Sequence, residues 1–69
     1  MRDMEIEVAV EGMDCQHCER TIRNAILGRD AAAKVEVDLE SGRVHAMTRL
    51  SEQDVVEAIQ AEGYRIRAA

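Results

Sequence analysis

From Met4 to Val10 apolar and acidic residues alternate strictly, so Met4, Ile6, Val8 and Val10 share one face and Glu5 and Glu7 the other. A period of two is the pattern of a strand with one buried face. After a polar loop, Gly12 to His17, the period lengthens: Cys18, Ile22, Ala25 and Ile26 recur at the spacing of one helix face. This predicts a helix that opens at Cys18 and stops at Gly28. Ala33, Val35, Val37 and Leu39 then alternate with Lys34, Glu36 and Asp38. The turn Glu40 to Gly42 leads into Val44, Ala46 and Thr48, which predicts a hairpin. Ser51 followed three residues later by Asp54 is a capping-box start, and Val55, Ala58, Ile59 and Glu62 line one side of the helix it opens, with Gly63 as the stop. A last strand runs from Tyr64 to Ala68, its apolar positions alternating with Arg65 and Arg67.

The order strand, helix, strand, strand, helix, strand fits an α+β fold of the ferredoxin-like βαββαβ kind: an open-faced sandwich with a four-stranded antiparallel sheet and both helices on one face. A strand–helix–strand crossover makes the first two strands parallel. The Gly12 to His17 loop, the Glu40 to Gly42 turn and the Gly63 to Tyr64 junction therefore meet at one end. Tyr64 becomes an expected neighbour of the two thiols despite its distance along the chain.

The 69 residues suit a single domain, 1–69, with an aliphatic core, since the chain has one Tyr and no Phe or Trp. Such walls leave no deep substrate cleft, so the expected protein is not an enzyme. A net charge of -5 has the wrong sign for a phosphate-backbone binder and argues against nucleic acid as a partner. No apolar stretch approaches the roughly 18 residues of a membrane span, so no membrane insertion is expected. A cytoplasmic location follows as the expectation, and there thiols stay reduced.

The only two cysteines, Cys15 and Cys18, lie two residues apart in "GMDCQHC", between strand and helix. That spacing lets one sulfur from a loop and one from a first helical turn converge on a shared ion. The unpaired N–H groups of the helix start favour thiolate at Cys18, the form that ligates metal. Two soft sulfurs with no obligatory third ligand suit an ion content with low coordination, and Cu(I) fits best. Thiol redox catalysis is the reading from another class, but the chain has no proline to set against the thiols. A closed structural zinc site needs four ligands. His17 and His45 are the remaining strong candidates, and alternation puts His45 on the open face of the sheet.

"GMDCQHC", Gly12 to Cys18, together with "VEVDLESGRV" and "VVEAIQAEGY", resembles the heavy-metal-associated domain family and, within it, the small bacterial copper chaperones. The resemblance covers nearly the whole chain. It implies that Cys15 and Cys18 bind Cu(I) and pass it by thiolate exchange to a metal-transporting P-type ATPase or its N-terminal metal-binding domain. It implies a monomer, with a metal-bridged dimer as the other form. It also implies that Gly12 and Met13 support the loop, Met13 by packing beneath it, and that Tyr64 stands where bacterial members carry Tyr, shielding the site or packing beneath the loop. His17, between the thiols, is an additional metal or tuning candidate. Asp14 is another, because "GMDC" is similar to domains of zinc, cadmium and lead exporters, where a carboxylate beside two thiolates would complete a site for Zn(II), Cd(II) or Pb(II). The alternative role of Asp14 is to cap the coming helix. A Hg(II) carrier and a domain excised from the ATPase are the remaining alternatives. Glu5, Glu7, Glu36 and Asp38 read as solvated acidic rows.

Overall fold

A computed structural model gives the fold of the chain; it describes residues 3–12 and 16–68. The elements are β1 (Met4–Glu11), α1 (Gln16–Arg29), β2 (Lys34–Asp38), β3 (Arg43–Thr48), α2 (Glu52–Ala61) and β4 (Arg65–Ala68). The sheet order is β2-β3-β1-β4, and every neighbouring pair is antiparallel. This is the expected ferredoxin-like sandwich, and β1 and β2 run the same way.

Alternation decides what is buried. Ile6, Val8 and Val10 of β1 and Val44 and Ala46 of β3 form one face of the core, closed by Ile22 and Ile26 of α1 and Val55, Ala58 and Ile59 of α2. Burying an aliphatic side chain of this size contributes about 1.5–3 kcal/mol, so these few residues dominate the stability of so short a chain. Met4 departs from the expectation at 62 % exposed. It is the first residue of β1, at the margin of the sheet, and takes no part in the core.

Gly28 is not a stop. It lies inside α1 without a positive φ, and the helix continues to Arg29. The chain leaves the helix at Asp30, whose N–H still donates to the Ile26 carbonyl (3.0 Å). The Asp30 carboxylate accepts from the Thr48 hydroxyl (2.7 Å), the Arg49 N–H (3.1 Å) and the Ala32 N–H (3.2 Å). Those bonds tie the exit of α1 to the exit of β3, and give the buried Thr48 hydroxyl its partner, as burial of a polar group requires.

The capping box forms as expected: Asp54 N–H donates to Ser51 Oγ and Ser51 N–H to the Asp54 carboxylate. Gly63, at φ 92°, ends the second helical segment, while Glu62 is its exposed C-cap residue and joins no buried side. The last strand begins at Arg65, one residue after Tyr64.

On the open face the acidic rows are interleaved with nitrogen-bearing side chains of β3. Arg43 meets Glu7 at 3.1 Å and His45 meets Glu5 at 3.4 Å. Asp38 turns back to accept from the Glu40 and Ser41 N–H groups of the hairpin turn. His45 is thus on the open face, as alternation predicts, and away from the cysteine loop.

Candidate metal site

The fold brings three connections to one pole. β1 ends at Glu11 beside Arg65 of β4, and the N–H of Val10 donates to the carbonyl of Gly42 in the β2–β3 turn (2.7 Å). The end of β1, the hairpin tip and the entry to β4 are therefore adjacent, which places Tyr64 at the pole where the cysteine loop starts.

Gly12 takes φ 81° immediately after β1, a value that L side chains rarely adopt. Its carbonyl oxygen lies 3.8 Å from Cys18 Sγ. Cys18 is the third residue of α1, within the first turn, where backbone N–H groups have no partner inside the helix and the positive end of the dipole favours a thiolate. It is half-buried and packs against the core, as does Tyr64. One flank of the sulfur is therefore apolar, which anchors it, and the thiol stands at the end of the molecule.

His17 is exposed, and what is held is its backbone: its carbonyl accepts from the Thr21 hydroxyl at 2.9 Å. Met13, Asp14 and Cys15, on which the second thiol, the extra carboxylate ligand and the packing beneath the loop depend, lie outside the described residues. Among the described residues no three His, Cys, Asp or Glu side chains converge as a metal-binding set. Side-chain contacts on α1 and β4 also escaped the sequence reading. Glu19 and Arg23, both half-buried, pair at 2.9 Å along α1, a bond the i,i+4 spacing could have announced. Arg67 donates to the Ser41 carbonyl at 3.2 Å, a contact that no local pattern signals.

A βαββαβ sandwich with a thiol on the first turn of its first helix, at an exposed pole, has the form of a small metal-binding domain. The chain belongs to the heavy-metal-associated domain family, whose model matches residues 7–65. It is 35% identical to the copper chaperone CopZ of Bacillus subtilis over 60 residues, which cover 83% of this chain and 87% of that protein. Among solved structures it superposes on the copper chaperone Atx1 from Synechocystis PCC6803 with a TM-score of 0.85 at 30% identity, covering 88% of this chain and 97% of that one. A gold-binding protein matches with a TM-score of 0.85, also at 30% identity, over 91% of this chain and 97% of its own. Among the described residues no helix is long and apolar enough to cross a membrane.

Proposed function

We propose that this single domain, residues 1–69, is a metallochaperone that carries one Cu(I) between Cys15 and Cys18 and hands it to a metal-transporting P-type ATPase, through that protein's own metal-binding domain, in the cytoplasm. The observation that carries the reading is the pair spacing together with the position of Cys18: a sulfur on the first turn of α1, anchored on one side by the core and placed at an end of the molecule. Copper chaperones among the relatives, and a gold-binding protein on the same frame, support a soft metal cargo.

The chemistry is exchange without turnover. A thiolate of the receiving domain adds to the two-coordinate ion and one of this chain's thiolates leaves; a second incoming thiolate then displaces the other, so the ion passes over without being released to water. This transfer needs no substrate cleft, and the reading is of a carrier and not an enzyme.

Asp14 favours a second reading. A carboxylate beside the first cysteine would make a three-donor site for Zn(II) or Cd(II). An anaerobic competition titration of the reduced protein with Cu(I) and Zn(II), run beside Asp14→Ala, separates the two. Tight one-to-one Cu(I) binding indifferent to Asp14, with weak zinc binding, upholds the copper carrier; strong zinc binding that collapses in Asp14→Ala replaces it. Reduction of a protein disulfide with turnover would instead place the thiols in redox catalysis.

A further inference from the structure

Because β1 lies between β3 and β4, a bond from β4 to the β2–β3 turn has to pass over β1. Arg67 makes that bond, its Nη2 donating to the carbonyl of Ser41. The backbone is built for it. Val10 pairs with Ile66, but Ala9 pairs with Ala68, so β4 carries one residue more than β1 at this point, and that residue is Arg67. An extra residue of this kind kinks the strand and re-aims a side chain.

Two features of the crossing point agree. Ala9 is 4 % exposed although it belongs to the open face, where Glu5, Glu7 and Glu11 of the same strand are exposed. A long side chain laid over β1 at this level is the cover that such burial needs, and a small residue is what fits below it. Gly42, at φ 72°, brings the hairpin so close that an added Cβ would stand 3.0 Å from the Val10 carbonyl oxygen and 4.0 Å from Arg67 Nη2. The tip, the end of β1 and the arginine are in one knot.

We propose that Arg67 is a positioning residue for the metal-binding loop: strapped across β1 to the hairpin tip, it fixes the last hydrogen bond from β1 to the hairpin, Val10 to Gly42, two residues before Gly12 opens the cysteine loop. The proposal rests on the reading of that loop as a metal carrier. Gly12 follows Val10 by two residues and sets its carbonyl against Cys18 Sγ, so play at that bond is passed directly to the distance between loop and helix. A preorganised pair of sulfurs holds its ion longer than a pair that must first be gathered.

The test compares Arg67→Gln, Arg67→Lys and, as a charge control at the far end of α1, Arg29→Gln, all checked by thermal melts to be folded at the working temperature. Hydrogen exchange of the Val10 amide is read in the reduced metal-free protein, with the Val44 amide as the core reference. Cu(I) release is read as the rate of transfer to a chelator. Arg67→Gln is expected to speed Val10 exchange relative to Val44 and to quicken Cu(I) release on the order of three- to tenfold, the scale of one lost hydrogen bond at an exposed position. Arg67→Lys, which keeps the charge and a donor, should restore most of both, and Arg29→Gln should change neither. Unchanged Val10 exchange in Arg67→Gln overturns the strap. Faster exchange with unchanged release leaves Arg67 a purely structural residue and overturns the positioning role alone. A wild-type protein that holds no Cu(I) overturns the metal reading, and the positioning role with it.

Discussion

The sulfur of Cys18 lies 3.8 Å from the carbonyl oxygen of Gly12, six residues earlier, so the end of β1 and the first turn of α1 face each other across a very short gap. Gly12 leaves β1 with a positive φ of 81°, and a Cβ at this position would meet none of the described residues within 4 Å. The demand on residue 12 is conformational and not steric.

Gly12→Ala should therefore destabilise the fold by about 1–2 kcal/mol, the penalty of the left-handed region for an L side chain. Gly12→Asn should be milder, because Asn tolerates that region best among the others. Urea unfolding of the reduced, metal-free variants checks the order Gly, Asn, Ala. Equal stability for Gly12→Ala would show that the loop reaches Cys18 by another backbone path.

Gly28 gives the opposite expectation. It is exposed, sits inside α1 without positive φ, and its missing Cβ would touch nothing within 4 Å. Gly28→Ala should raise stability by about 0.5–1 kcal/mol through helix propensity and a less disordered unfolded chain. A thermal melt showing no gain, or a loss, would mean that the helix ends at Gly28 after all.

The Asp30 carboxylate makes the fold sensitive to acid. The Thr48 hydroxyl, and after it the Arg49 N–H, hold its pKa below the ordinary aspartate value. A carboxyl whose pKa is lowered by folding contributes stability that is present above its unfolded pKa and fades as the pH falls through the folded one. Wild-type stability should thus decline below about pH 4. Asp30→Asn should be less stable at neutral pH and should lose less on acidification, so that the two urea midpoints converge toward about pH 2. Parallel curves over the whole range would exclude Asp30 as a source of the acid response.

The sequence carried the elements wherever one local rule governed them. Alternation announced the strands, Ser51 and Asp54 announced the second helix, and the crossover rule alone was enough to bring Tyr64 to the cysteine pole. It misled where a residue's local preference was overruled by a distant contact. Gly28 reads as a terminator until Thr48 and Arg49, from another part of the chain, are seen to hold Asp30 and so fix the true exit of α1. The acidic rows read as bare charge until the register sets Arg43 and His45 beside Glu7 and Glu5. The bulge at Arg67 depends on pairing between the two ends of the chain, and no window of neighbouring residues contains it. Of the expected site, Gly12, His17, Cys18 and Tyr64 are placed, and Met13, Asp14 and Cys15 lie outside the described residues.

The two residues 17 and 18 should separate sharply in their effect on metal. Among the described residues the contact of His17 is through its carbonyl, which Thr21 engages, and the residue is exposed. His17→Ala should leave the fold intact and change Cu(I) affinity by less than about tenfold, below the 10–100-fold carried by partners that orient a ligand. Cys18→Ser replaces a soft thiolate by a hydroxyl that stays protonated at neutral pH, so affinity should fall beyond that range. The half-buried position makes the accompanying loss of stability small, about 1 kcal/mol. A chelator competition titration of both variants, with melts of the metal-free forms, decides it. A large loss in His17→Ala would make the imidazole a ligand, and near-normal affinity in Cys18→Ser would remove the helix-borne thiol from the site.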